Sequence, residues 1–470
     1  IIQDVSKKMM RGLVNRVPLE SLSRKKSNYS FFCMLFCLSM LVALTTAAEL
    51  PTLPEFSSGL TQQLDVTLTL EQTTVSIGSF TFKTRLYNGQ LPGPILRIKR
   101  GDTVRVHMVN NLDQTSCGFP AGTAVVKGEH NTVRDPCITN LHTHGLHVSS
   151  ATPEDNVFVE IGPGGKFYDY EYKIPANHLG GTHWYHPHHH GSTSGHVGGG
   201  ASGMIIVEDD VSDALPAAYR NLEEHAIMLT AIDTNVAEVE AAGGGTWVTA
   251  APASPVLLAN GLVSPTLTVA TMMMQKKWIR IRFAFSATQR SLAITVPAAC
   301  KAILLAKDGV YLPRGARSTT VLKFAPGNRV DIAISCSAGT HAFTSSPDDA
   351  AAGDEHMGGM HDDELGVPMK AFPAGTVFYV KCTGMGADAP DLPALTYTVP
   401  TYLRDLTAVT ADEIFSQGVT VGMAENGCTF ECGAYQKGTI LQYMSVNKVQ
   451  EFDVNANAHP LHMHINHMQL

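Results

Sequence analysis

The chain has 470 residues, enough for two to four ordinary domains. Charged residues make up only 16% of it, whereas Gly (41) and Pro (25) are plentiful. That composition favours an all-β protein rich in turns over a helical one. The formal net charge is −8, and a chain that is acidic beyond its basic first 30 residues is poorly suited to nucleic-acid binding.

The first 48 residues have the layout of an export signal. Residues 1–30 carry seven basic and two acidic side chains, an apolar run of 14 residues follows over 31–44, and small residues end the segment. This order predicts a signal peptide over 1–48 and a secreted, extracellular protein without a stable membrane span. An uncleaved signal anchor is the alternative, although a membrane-spanning helix needs about 20 apolar residues. The rest of the chain has a formal charge near −13.

Alternating apolar residues predict β-strands from the start of the remaining chain. Residues 64–70 and 104–108 alternate in this way, as strands with one buried face do. Gly and Pro separate these strands at 88–94, and the strand-like sequence ends near residue 210. We therefore predict a β-sandwich domain over 55–212.

Strand-like sequence resumes near residue 226 and includes the alternating run 279–285. Residues 325–329 predict a turn that leads into a strand over 330–334. We predict a second domain over 213–400. Residues 401–470 are too few for a full sandwich of about 100 residues, so they are interpreted as a partial, C-terminally truncated third domain.

Seven cysteines follow residue 48, and in a secreted protein they are disulfide candidates. Cys117 and Cys137 bracket a polar, Gly-containing loop, and we predict that they pair. Cys428 and Cys432 are a second candidate pair. The odd number leaves one cysteine without a partner in the sequence.

Three motifs each contain two histidines separated by one residue. They are His142-Thr-His144, His186-Pro-His188 and His459-Pro-Leu-His462-Met-His464. In a strand, such residues project from one face about 6.6 Å apart, which suits two neighbouring metal ions better than one. Three such pairs facing inward would enclose several ions. Imidazole ligation is consistent with copper, although zinc also accepts it.

These motifs, in this order, resemble the laccase-like multicopper oxidases, which are built of three cupredoxin domains. The resemblance runs from about residue 60 to residue 470. Besides the motifs, it rests on the segments 88–94, 101–106, 181–188, 203–208, 307–309 and 325–331. It implies an all-β chain of tandem cupredoxin-like Greek-key β-sandwich domains.

The resemblance also implies a copper-binding role for each histidine of the motifs. His142 and His462 would hold the type 2 copper, and His459 would be one ligand of the mononuclear type 1 copper. Four of the six ligands of the type 3 copper pair would be His144, His186, His188 and His464. Types 2 and 3 together would form a trinuclear cluster that reduces O2 to water.

One motif of the family has no match in these 470 residues. It is a His-Cys-His sequence followed by another His and an axial Met or Leu, which supplies the type 1 thiolate and two type 3 ligands. We therefore expect that the polypeptide is C-terminally incomplete and inactive by itself, and that a longer protein is the oxidase.

Asp155 follows the first motif, in a stretch where the family often places an acidic residue. Because O2 reduction consumes protons, we predict that Asp155 delivers them. A surface-loop carboxylate without a role is the alternative interpretation.

The predicted function is a secreted oxidoreductase that takes single electrons from a phenol, an amine or a metal ion and passes four to O2. Two alternatives stay open. One is a catalytically silent copper-binding or structural cupredoxin protein. The other is a copper nitrite reductase, whose domain count and motif layout fit less well.

Overall fold

β-Strands form most of the regular structure in a computed structural model of the chain, as the composition predicts. The structure describes residues 47–470 apart from 79, 115–116, 118–134, 233–254, 271–276, 289, 348–369, 384–388, 407–408, 425–426, 431–432, 435–447, 456–461 and 465–470. Residues 1–46, most of the predicted signal peptide, lie outside the described residues. Within the described part, no helix combines the length and apolar character needed to cross a membrane.

The first nine strands form two sheets, ordered β3-β2-β5-β7 and β1-β4-β9-β8-β6. The alternation predicted at 64–70 is confirmed, because every second side chain there is buried. Leu68, Val106 and Tyr172 belong to one buried apolar core. The strands are β1 (Glu55–Ser57), β2 (Gln63–Ile77), β3 (Phe80–Tyr87), β4 (Ile95–Ile98), β5 (Thr103–Asn110), β6 (His142–His144), β7 (Lys166–Lys173), β8 (Gly181–His186) and β9 (Gly203–Val207).

Short helices follow β8 and β9. They are α1 (Thr193–Gly198), α2 (Ala217–Arg220) and a 3₁₀ turn at Val211–Asp213. Two further 3₁₀ turns lie at Thr401–Leu403 and Ala411–Glu413.

The next thirteen strands form a second pair of sheets, ordered β11-β10-β13-β19-β15-β16, with β17 on β15, and β12-β22-β20-β14-β18, with β21 on β14. Aromatic side chains fill their core, where the rings of Phe343 and Phe378 stack 4.6 Å apart. The strands are β10 (Glu223–Ile232), β11 (Val256–Ala259), β12 (Thr266–Val269), β13 (Ile279–Ser286), β14 (Arg290–Thr295), β15 (Cys300–Lys307), β16 (Val310–Tyr311), β17 (Arg317–Ser318), β18 (Val321–Phe324), β19 (Arg329–Cys336), β20 (Gly339–Ser345), β21 (Lys370–Ala371) and β22 (Gly375–Cys382).

The last described sheet has the order β25-β24-β23-β26. Its strands are β23 (Ile414–Ala424), β24 (Gly427–Phe430), β25 (Gly433–Ala434) and β26 (Val449–Asn455). His462 and His464 follow β26 in the chain. The domain boundaries after residues 212 and 400 stay predictions.

Two disulfides lie among the described residues. The predicted pair of Cys117 and Cys137 is confirmed. A second bridge joins Cys300 to Cys336, and Cys382 is a buried free thiol. The side chains of the candidate pair Cys428 and Cys432 lie outside the described residues.

β13 is buried on both faces, whereas its alternating sequence predicts one exposed face. The reason is a cluster of buried charges around Arg280 and Arg282. Arg280 donates to Asp209, which follows β9, and to Asp331 in β19, both at 2.6 Å. Arg282 donates to Asp331 at 2.9 Å. Such close pairing offsets the cost of removing these charges from water.

The same cluster connects the two pairs of sheets. Thr182 of β8 donates its hydroxyl hydrogen to Asp331 at 2.5 Å. Burial alone would raise the pKa of Asp209, but the charges of Arg280 and Arg282 outweigh burial and lower that pKa to about 2. The carboxylate is therefore ionised at neutral pH and holds the first sheets against the second.

Candidate metal centre

The first two histidine motifs meet where β6 pairs with β8. The strands are antiparallel, and His142 lies directly opposite His186. Residues that face each other across such a pair project from the same side of the sheet. Only the first motif lies wholly within a strand, because β8 ends at His186. The prediction that both histidines of a motif project from one face of a strand therefore applies to the first motif alone. The tertiary fold brings the histidines of the other two motifs to the same point.

Six imidazole rings come together at this point. The rings of His142 and His464 stack 4.1 Å apart, and those of His144 and His462 stack 3.9 Å apart. His188 lies 5.0 Å from His142 and 4.7 Å from His464, measured between ring centroids. His186 lies 5.2 Å from His142. The structure thus gathers six of the seven predicted ligands, and His459 lies outside the described residues.

In two of the rings, one nitrogen is held by a hydrogen bond to a residue that is not one of the six histidines. His142 Nδ1 donates to Asp155 Oδ2 at 2.7 Å, and His186 Nδ1 donates to the carbonyl oxygen of Pro187 at 2.9 Å. His186 Nε2 is left 3.3 Å from His144 Nδ1. His142 Nε2 is buried and has no hydrogen-bond partner in the described structure. A buried polar atom without a partner is costly unless something binds it.

The protonation state of these rings also suits a metal. Burial, reinforced by the neighbouring histidines, lowers the pKa of His142 and of His186 well below the ordinary value. Both rings are therefore neutral at physiological pH, which is the form that binds a metal ion. The ligand atoms of His142, His144 and His462 lie within 4.8 Å of one another.

Asp155 is 2% exposed, and its carboxylate lies within 4.8 Å of the ligand atoms of His142 and His464. Besides the bond from His142, its carboxylate accepts hydrogen bonds from the amide (2.8 Å) and the hydroxyl (3.1 Å) of Thr143. Burial raises the pKa of Asp155 to about 6, although the bonds from Thr143 oppose the rise. Carboxylates in this position fix the tautomer and orientation of a metal-binding histidine.

Two contacts of the centre were missed in the sequence. Asn140 accepts a hydrogen bond from the backbone of His188 at 2.6 Å, and Trp184 stacks on His186 at 4.1 Å. No sequence spacing points to Asn140, because its hydrogen-bond partner lies 48 positions away in the sequence.

The remaining histidines near the second motif have other surroundings. His183 is buried beside His178, with ring centroids 5.5 Å apart. His196 in α1 is fully buried and donates from Nε2 to the carbonyl oxygen of Pro136 at 2.9 Å. His190 is exposed.

Comparison with known proteins points to multicopper oxidases. A family model described as multicopper oxidase matches residues 69–117 and 119–212. A multicopper oxidase of Staphylococcus haemolyticus is 26% identical over 257 residues, which are 53% of this chain and 48% of that protein. A laccase of Bacillus subtilis is 26% identical over 295 residues, 57% of this chain and 54% of that protein. The chain is therefore similar to multicopper oxidases, and the family model locates that similarity in residues 69–212. The chain spans about half the length of the curated relatives it matches.

Solved structures share the fold. A laccase from Pediococcus acidilactici superposes with a TM-score of 0.60 at 16% identity, covering 88% of this chain and 78% of that one. The multicopper oxidase McoA from Aquifex aeolicus gives a TM-score of 0.54 at 18% identity, covering 84% and 76%. The predicted all-β, cupredoxin-like Greek-key class is confirmed.

Similarity to multicopper oxidases points to copper, and the centre fits that metal. The donors are neutral imidazoles, which suit copper, and the unpaired His142 Nε2 is an available ligand atom.

Burial of His196 predicts a pH-dependent stability that does not involve the metal. Burial, and then the charge of Arg85, lower its pKa to about 3, against about 6.5 in an unfolded chain. Between these values the unfolded chain binds a proton that the folded chain does not. The stability from this group is therefore fully present above pH 6.5 and is lost as pH falls towards 3.

We expect His196→Gln to reduce the loss of unfolding free energy between pH 7 and pH 5. The reduction should be up to about 2 kcal/mol, since one pKa unit corresponds to about 1.4 kcal/mol. Urea unfolding of copper-free protein at both pH values measures it. An equal loss in wild type and variant would show that His196 does not stay neutral in the fold.

Proposed function

We propose that the protein is a copper-dependent oxidoreductase that couples one-electron oxidation of a phenol, an amine or a metal ion to the four-electron reduction of O2 to water. The convergence of six neutral imidazoles, one with an unpaired ligand atom, carries this proposal. The relatives named multicopper oxidase and laccase support it. Bound copper would transfer single electrons from the reductant to O2.

Each ring is assigned the role that the family motif implies. His142 and His462 hold the type 2 copper, and His459 is one ligand of the type 1 copper. The type 3 pair takes four ligands from His144, His186, His188 and His464. The stacking of His144 on His462 and of His142 on His464 supports a shared site, because each pair joins the first motif to the third.

The chain's own residues prepare these ligands before copper arrives. Asp155 holds the Nδ1–H of His142, and the Pro187 carbonyl holds that of His186, so that Nε2 is the nitrogen each ring would offer to the metal. Burial keeps both rings unprotonated at neutral pH. Less binding energy is then lost to ordering or deprotonating the ligands.

Replacement of one ligand in the full-length protein tests the copper oxidase assignment. We expect His144→Gln to lose copper and to reduce O2 consumption by more than the roughly 10- to 100-fold that follows replacement of a residue behind a ligand. His190→Gln is the matched control, because His190 is exposed and outside the cluster. Copper content and O2 uptake with a phenol, an aromatic amine and ferrous or cuprous ion are measured together. Copper retained without O2 uptake in the wild type would instead support the silent copper-binding protein.

Asp155 is proposed to deliver protons as well as to orient His142. Its buried carboxylate accepts a hydrogen bond from His142 and lies within 4.8 Å of a ligand atom of His464, and O2 reduction consumes protons. We expect Asp155→Asn, which can still accept a hydrogen bond from His142, to keep most of its copper but to change the pH dependence of turnover. A rate–pH profile identical to that of the wild type would exclude proton delivery.

We propose that the protein is exported. The basic, apolar and small-residue regions of 1–48 support export, as do two disulfides, which persist in oxidising compartments. N-terminal sequencing of protein from the culture medium should begin near residue 49. Protein found only in the membrane with residues 1–48 attached would support the signal anchor instead.

A further inference from the structure

The guanidinium of Arg329 lies beside the histidine cluster but belongs to none of the histidine motifs. Arg329 is the first residue of β19 and is 5% exposed. A Cβ atom on Gly145, the residue that follows His144, would lie only 2.4 Å from Arg329 Nη2. After burial, the charge of Arg329 is the largest influence that lowers the pKa of His144 and of His462. The cation is therefore close to ligands from two motifs.

Arg329 donates hydrogen bonds to backbone carbonyl groups of both pairs of sheets. Its side chain donates to the carbonyl oxygens of Gly327 (2.8 Å), Asp308 (2.9 Å) and Thr182 (3.4 Å). Thr182 belongs to β8, the strand that carries His186. A Cβ atom on Gly327 would lie 3.2 Å from Cε1 of His144, so the turn before β19 packs on that ring.

The charge of Arg329 is less completely balanced than those of the other buried arginines of this region. Arg280 and Arg282 each have buried carboxylate oxygens at 2.6 to 2.9 Å. Arg329 forms an ion pair with Asp308 at 3.4 Å, and the Asp308 side chain is 46% exposed; the charge of Asp331, which also pairs with Arg280 and Arg282, acts on Arg329 more weakly. Carbonyl groups satisfy the N–H donors but do not cancel the charge. A net positive field therefore extends to the neighbouring rings.

We propose that Arg329 is a positioning residue that raises the reduction potential of the type 2 copper, which His142 and His462 would hold. The inference rests on the proposed function, since it requires copper at this site. A fixed positive charge disfavours Cu(II) more than Cu(I). The transfer of one electron from the external reductant to Cu(II) therefore becomes more favourable. At roughly 10 Å and an effective dielectric constant of about 20, one unit charge shifts such an equilibrium about tenfold.

Two substitutions separate the charge from the contacts. Arg329→Gln removes the charge and keeps a hydrogen-bond donor, whereas Arg329→Lys keeps the charge and loses the planar fork. The copper-loaded proteins are titrated with redox mediators while the electron paramagnetic resonance of the mononuclear, histidine-bound type 2 Cu(II) is recorded. Urea unfolding of each copper-free protein measures any general loss of stability.

We expect the ratio of Cu(II) to Cu(I) at the wild-type midpoint to rise about tenfold in Arg329→Gln, which is a fall of about 59 mV for a one-electron couple. Arg329→Lys should stay near the wild-type midpoint, even if its copper-free form is less stable. An unchanged midpoint in Arg329→Gln, or equal shifts in both variants, would overturn the inference.

Asp308→Asn provides a test of opposite sign that leaves Arg329 in place. It removes the partly exposed negative charge and keeps an oxygen that can accept the hydrogen bond from the Arg329 amide. The midpoint should rise, and an unchanged or lower midpoint overturns the inference even if Arg329→Gln fails to fold. If the wild-type protein binds no copper, the proposed function is wrong as well. If copper binds but its midpoint potential is the same in Arg329→Gln and Asp308→Asn as in the wild type, only this inference is wrong.

Discussion

The proposed copper centre depends on burying several imidazoles together without protonating them. A polar ring removed from water needs a partner for each nitrogen. Here His142 and His186 each satisfy one nitrogen through a fixed acceptor and present the other to a common space. Since His142 lies opposite His186 in the β6–β8 pair, a slip of one residue would turn one of them to the other face of the sheet. The register of the β6–β8 pair therefore determines both the burial of these two rings and the direction of their ligand atoms.

The second pair of sheets contributes to this centre although it supplies none of the predicted ligands. Asp331 in β19 accepts hydrogen bonds from Arg280 and from Thr182, which lies in the ligand-bearing strand β8. Arg329, two residues earlier in β19, donates to the carbonyl of the same Thr182. One strand of the second pair therefore fixes β8 by a buried ion cluster and also brings a positive charge to His144. The same contacts of β19 therefore stabilise the position of β8 and set the electrostatic field at the histidine cluster.

Local patterns allowed much of the fold and centre to be predicted. Alternation at 64–70 and 104–108 found β2 and β5, because burial on one face has a period of two residues. Histidine spacing identified the six rings that meet. The same alternation misled at β13, where Arg280 and Arg282 are buried because their carboxylates lie on other strands. The disulfide Cys300–Cys336 and the position of Arg329 beside His144 could not be predicted either. Both result from contacts between distant parts of the chain, for which no local sequence pattern exists.

Anomalous diffraction from crystals of the protein grown with copper, recorded just above and just below the copper absorption edge, tests the metal centre most directly. The difference between the two wavelengths should give strong peaks among the rings of His142, His144, His186 and His188, within bonding distance of His142 Nε2. Absence of such peaks there, while the protein holds copper elsewhere or holds zinc among these rings, would contradict the assignment of this cluster as a copper centre.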